Sequence, residues 1–150
     1  MKLWVLRHGE AEPYGSCSDS ERALTSHGCE EVLRSAAELI GQPITAIYAS
    51  PYQRAQQTAQ LVREALGFQP DIRTVEWLTP GYSPQVVAEQ LVSVDYALLV
   101  SHNPLVGNLL GYLQNGHVQD PEKVGTAGLA ELEGDLPLAG AMKLVSIKHP

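Results

Sequence analysis

The sequence predicts one α/β domain of three layers, a mostly parallel central sheet flanked by helices. Three observations lead there. Short apolar runs alternate with helical patterns along the chain. The 150 residues suit a single domain that buries a core without staples. Polar, chemistry-bearing residues follow three of the apolar runs directly, where open α/β sheets place their sites. No internal repeat or low-complexity tract interrupts this order.

The elements follow in turn. Leu3, Trp4, Val5 and Leu6 form a short apolar run bounded by charge, which reads as a buried strand over residues 2–6. A loop of small and polar residues occupies 10–22. Thr25 or Ser26 caps a helix to about residue 40, with Val32, Leu33, Ala36, Ala37, Leu39 and Ile40 expected on its inner side, and Gly41 stops it. Residues 44–49 read as the second strand. Ser50 fits the N-cap of the next helix, with Pro51 at its first position and Gln53 completing a capping box. That helix runs to Leu66, with Gly67 as its C-terminal stop. A short third strand is expected over 71–75 and a short helix from Ser83 and Pro84 to about 92. The apolar run 96–100 is another buried strand, and Asn103 with Pro104 caps a helix to about 113. The tail supplies two β-like stretches, 127–132 and 141–147, joined by a turn over 134–140.

Composition excludes several classes. The net charge of −7 argues against general nucleic-acid binding, which wants a basic face. No apolar stretch approaches 18 residues, so no membrane span is expected, and the N-terminal apolar run is too short for a secretory core. Two cysteines, Cys17 and Cys29, make no disulfide framework, and a reducing, cytoplasmic setting is expected. Each is separated from the next arginine by four residues, one short of a cysteine-phosphatase anion loop. There is no Asp-x-Asp pair, no His-x-x-x-His or clustered Cys/His set for zinc, and no Gly-x-x-x-x-Gly-Lys loop. A metal-independent protein without cofactor is expected, and no exposed apolar heptad argues against a monomer.

Three strand-to-helix junctions carry the polar groups: Arg7-His8-Gly9, Ser50-Pro51 with Arg54 one turn on, and Ser101-His102-Asn103-Pro104. Parallel strands with right-handed crossovers end on one edge of the sheet, so these groups should meet in one crevice. Helix N-termini there add partial positive charge. The combination favours a dianionic phosphoryl group. A neutral His8 can attack phosphorus, Arg7 and Arg54 can hold the non-bridging oxygens, and His102 can donate to them. His8 must be unprotonated and His102 protonated, so the two histidines need different environments. Ser50, Asn103 and Thr25 read most simply as caps, and His27, His117 and His149 as surface or tail residues.

At these residues the chain resembles the histidine phosphatase, or phosphoglycerate-mutase-like, superfamily. Arg7 to Ala11 is similar to its N-terminal signature, Ser50 to Ala59 to its second, and Ser101 to Pro104 to its second-histidine motif; Arg22 to Gly28 resembles its arginine-to-helix entry. The resemblance implies His8, Arg7, Arg54 and His102 as catalytic residues, with Arg22 either a fourth phosphate ligand or a loop anchor. Glu76 is the positional candidate for the proton-donating acid such enzymes use, and Glu10 is a second carboxylate close by in sequence. The likeness is greatest to the small phosphohistidine phosphatases of the superfamily. Only 47 residues separate Arg54 from His102, an interval where larger members carry a lid. The resemblance therefore implies an open site acting on a phosphorylated histidine phosphotransfer domain. A small-molecule phosphomonoesterase of the same superfamily and a non-catalytic phosphate-binding module are the alternatives.

Overall fold

A computed structural model of the chain describes residues 1–15 and 17–150. Six strands form one sheet in the order β3-β2-β4-β1-β5-β6. They are β1 (Lys2–Arg7), β2 (Ala46–Ala49), β3 (Arg73–Thr74), β4 (Ala97–Ser101), β5 (Leu129–Glu133) and β6 (Lys143–Lys148). The first four are mutually parallel, and β5 and β6 close one side as an antiparallel pair. Between them run α1 (Ser26–Ala37), α2 (Gln53–Leu66), α3 (Pro84–Gln90) and α4 (Leu105–Asn115). Among the described residues, no helix is long and apolar enough to cross a membrane.

The sheet is covered on both faces, which is why its central strands are continuously apolar rather than alternating. Successive side chains of β1 enter opposite layers. Leu3 and Val5 join Leu99, Leu105, Leu109 and Val87 in the core beneath α3 and α4. Trp4 and Leu6 join Ile47, Leu98, Val32 and Ala59 beneath α1 and α2. β1 and β4 lie side by side at the centre, register Leu6 to Val100 and Arg7 to Ser101, so their C-terminal ends open at one place.

Several local expectations need correction. Leu33, Ala37 and Ile40 of the α1 segment face solvent, with Ile40 66% exposed. At 100° per residue, Val32, Ala36 and Leu39 form the inward row, and the residues one position on lie a quarter-turn away. Ser50 does not cap α2. Tyr52 occupies the N-cap without a side-chain bond, Gln53 begins the helix, and the Ser50 hydroxyl is used elsewhere. Asn103 likewise caps nothing; Pro104 is the N-cap of α4. Thr25 does cap α1, accepting from the Gly28 N–H, and Gly67 ends α2 in the left-handed conformation at φ 62°. β4 starts at Ala97, not 96, because Tyr96 is left-handed at φ 55°, and β5 starts at Leu129 because Ala127 is left-handed at φ 54°. The predicted loop 10–22 includes Ser16, outside the described residues; it contains a bridge from Ala11 to Leu24 and a 3₁₀ turn, Asp19–Glu21.

Candidate active site

The C-terminal ends of β1, β2 and β4 meet in a cavity of about 290 Å³ lined by Arg7, His8, Glu10, Ala11, Tyr14, Arg22, Arg54, His102, Asn103 and Thr126. Five of the six residues expected at a site are therefore together. The sixth, Glu76, is exposed in the 3₁₀ turn Glu76–Leu78 after β3 and does not line the cavity.

His8 is held from both sides of its backbone. Its N–H donates to Ser101 O at 3.1 Å, and its carbonyl accepts from Ala127 N at 2.9 Å. Its ring Nδ1 lies 2.7 Å from Gly9 O. A carbonyl can only accept, so Nδ1 carries the proton and Nε2 bears a lone pair. The Arg54 Nε–H donates to that Nε2 at 3.3 Å. The two contacts agree on the tautomer: one partner demands a donor, the other an acceptor.

Gly9 makes this geometry possible. A Cβ on Gly9 would lie 2.5 Å from Gly28 O, and one on Gly28 would lie 2.1 Å from Glu10 O. The first turn of α1 thus rests directly on the backbone that follows β1. Gly28→Ala is expected to cost about 1–3 kcal/mol through forced backbone displacement, read as a lower denaturation midpoint. Unchanged stability would mean that the loop yields freely.

His102 lies 5.0 Å from His8, ring centroid to centroid, tilted by 57°. Its Nε2 is 2.7 Å from Ser50 Oγ, in hydrogen-bond contact, and the Tyr52 N–H donates to that same oxygen at 3.2 Å. The Tyr52 ring packs edge-on against it at 5.0 Å. Ser50, read from sequence as a cap, is thus the residue that orients the second histidine. Asn103 Nδ2 and Arg7 Nη1 both donate to Val124 O, at 2.9 and 3.1 Å. Arg7 Nε, His102 Nδ1 and Asn103 Oδ1 are buried with no protein partner among the described residues. Buried polar atoms are nearly always satisfied, and these three residues border one cavity.

Arg54 is 3% exposed. Besides His8, it donates from Nη1 to Asp19 O at 2.6 Å and from Nη2 to Asp19 Oδ2 at 3.3 Å. Arg22 donates to Asp19 Oδ1 at 2.9 Å and to Glu12 O at 2.8 Å, and its guanidinium sits 3.9 Å over the Tyr14 ring. Arg22 therefore both borders the cavity and anchors the loop. Sequence reading missed Asp19 altogether, since a lone aspartate in a polar loop carries no local signal. It also missed Glu31, which accepts from Glu10 N at 2.9 Å and Thr126 Oγ1 at 2.9 Å, tying two cavity walls together. No group of three His, Cys, Asp or Glu side chains is placed to hold a metal ion among the described residues.

Both histidines are held neutral at pH 7. Burial, then the charges of Arg54, Arg7 and Arg22, lower His8 from 6.5 to about 4, against an opposing push from the Gly9 bond. Burial, His8 and the same arginines lower His102 to about 2. The two rings thus share one kind of environment in this structure, and only their partners distinguish them. Because the unfolded chain takes up these protons first, stability is expected to fall as pH drops from about 6.5 towards 4, and further as His102 titrates. Thermal melts between neutral pH and about pH 5 should show the loss, and His8→Ala with His102→Ala should flatten the slope. An equal slope in the double variant would assign it to other groups.

The comparisons agree with this geometry. Residues 3–78 match the family "Histidine phosphatase superfamily (branch 1)". The phosphohistidine phosphatase SixA of Escherichia coli (strain K12) is 33% identical over 145 residues, covering 90% of this chain and 86% of that protein. A SixA homologue of Haemophilus influenzae is 32% identical over 127 residues, covering 75% of this chain and 77% of that protein. The structure of the protein histidine phosphatase SixA complexed with tungstate superposes with a TM-score of 0.89 at 31% identity, covering 100% of this chain and 97% of that one. The fold, the paired histidines at the strand ends and these similarities together place the chain in the histidine phosphatase superfamily, as a homologue of SixA.

Proposed function

We propose that this protein is a phosphohistidine phosphatase, acting in the cytoplasm on a histidine-containing phosphotransfer domain, and that His8 is the nucleophile. The observation that carries the reading is the His8 tautomer: Nδ1–H is committed to Gly9 O, and an unprotonated Nε2 stands beside Arg54. The similarity to SixA supports the substrate class. Tungstate, held by the structural relative, is a tetrahedral oxyanion with the shape of phosphate.

The chemistry follows from the hydrogen bonds. Arg54 Nε–H covers the His8 lone pair. A phosphoryl oxygen is a charged and stronger acceptor than a neutral imidazole, so an arriving phosphoryl group draws that N–H to itself and frees Nε2. Arg7, whose Nε–H has no partner among the described residues, and His102 hold further oxygens. The dianion opposes the arginine charges that depress His102 and favours its protonated, donating form. Nε2 attacks phosphorus, and the P–N bond to the substrate imidazole breaks in line, its electron pair staying on that ring. The substrate ring leaves as neutral imidazole when its other nitrogen already carries a proton. No acid is required for this step, which accords with Glu76 standing outside the cavity lining; an alkoxide leaving group would need one.

His8 then bears the phosphoryl group on Nε2 and its proton on Nδ1. The ring is cationic, and Gly9 O stabilises it. Water attacks phosphorus, the P–Nε2 bond breaks, its pair returns to His8, and the water proton passes to the phosphate product or solvent. His8 is restored in its starting tautomer. The test is loss of radiolabel from a phosphorylated histidine phosphotransfer domain, compared with small alkyl phosphates. Faster loss from the phosphoprotein than with His8→Ala protein is expected. Preferential turnover of small esters would overturn the substrate assignment in favour of a phosphomonoesterase. Tight phosphate binding with no turnover of either would leave only a binding module.

A further inference from the structure

We infer that Asp19 is a positioning residue, holding the Arg54 and Arg22 guanidinium groups in their working arrangement; the inference rests on the reading of the cavity as a phosphoryl site. Asp19 itself does not line the cavity. It reaches the site only through the arginines, with three contacts from one residue: its carbonyl to Arg54 Nη1, Oδ2 to Arg54 Nη2 and Oδ1 to Arg22 Nε. Arg54 is thereby fixed at three nitrogens, two on Asp19 and Nε on His8. The guanidinium is a rigid planar fork, so fixing Nη1 and Nη2 also dictates where Nε points. That direction is the nucleophile.

Charge gives a second reason. A buried cation without a counter-ion is costly, and among the described residues Asp19 is the one carboxylate in ion-pair reach of Arg54. The same carboxylate pairs with Arg22, so it stands between two cations that would otherwise repel each other. Burial disfavours its charged form, but hydrogen bonds from Arg22 and Arg54 and their charges outweigh this and hold the carboxyl below its ordinary pKa. Its side chain is 42% exposed, so core packing does not explain it. Arg22, locked by Glu12 O and Tyr14, gives Asp19 a firm base against which to hold Arg54.

The test is Asp19→Asn, which keeps the shape, one side-chain acceptor and the backbone bond to Arg54 Nη1 but removes the charge. Tungstate affinity by calorimetry is expected to weaken by about 10-fold, the worth of one charge-assisted hydrogen bond. The Arg54 Nε–H resonance should lose its protection from solvent exchange. With phosphoprotein substrate, kcat is expected to fall by about 10- to 100-fold, as for a small misplacement of reacting groups, and the melting temperature should drop by several degrees as two buried cations lose their counter-ion, with the variant still folded at the assay temperature. Unchanged or tighter tungstate binding overturns the inference, as does a variant whose kcat loss is matched by a loss of folded protein. Affinity and resonance are both read without turnover. A protein inactive on phosphohistidine would therefore still decide the role of Asp19 separately.

Discussion

His8→Ala is expected to abolish phosphoryl transfer, lowering kcat by about 10⁴-fold or more, as loss of a covalent nucleophile does when no other group can replace it. His102 is the nearest imidazole, 5.0 Å away between ring centroids, but its Nε2 is engaged with Ser50. The backbone bonds that seat residue 8, to Ser101 O and from Ala127 N, do not involve the ring, so the variant is expected to fold. Arg7, Arg54 and His102 remain, so it should still bind tungstate. Loss of turnover with retained oxyanion affinity separates a nucleophile from a binding residue. Brief incubation of the parent protein with labelled phosphoprotein should leave label on His8 that is lost in acid and kept in alkali, as a phosphohistidine is. A His8→Ala protein with turnover within tenfold of the parent would rule out the covalent route.

Arg54→Ala is expected to lower kcat by about 10²–10³-fold, the cost of removing one preorganised donor to transition-state charge. Three consequences follow from its bonds. The clamp on the phosphoryl oxygens loses a cation, Asp19 loses one of its two partners, and His8 loses the donor on Nε2. The Arg54 charge is one of the causes that lower His8. Its removal, together with admission of water to the space it fills, should bring His8 titration back towards the ordinary histidine value, visible by NMR. Arg54→Lys should rescue little. An ammonium is a point charge and cannot reach Asp19 at two places while donating to His8. Recovery of most activity by lysine would show that charge alone is needed there and would weigh against fork geometry as the active feature.

Arg7, His8, Arg54 and His102 are readable because each sits within five residues of a strand end, and parallel strands bring their ends together. Gly67 and Thr25 were readable because stops and caps are local chemistry. Ser50 and Asn103 illustrate the limit. Both have the residue type and spacing of a helix cap, yet each bonds to a partner more than 20 positions distant, His102 for Ser50 and Val124 for Asn103. Hydrophobicity places Leu33 and Ile40 inward, yet both are exposed, because it does not say which of two adjacent rows on a helix meets the sheet.

The sequence by itself determined the layered α/β architecture, the sheet edge at which the cavity opens, and the two histidines and principal arginines that line it. These depend on hydrophobic period and on short-range order, which the chain carries locally. Only the tertiary structure decided which nitrogen of His8 is free, that both rings are held neutral by shared burial and charge, and that Asp19 and Glu31 brace the walls. Tautomer, desolvation and ion pairing depend on atoms brought within about 3 Å by folding, and residues as far apart as Glu31 and Thr126 have no signal for that meeting in their own neighbourhoods.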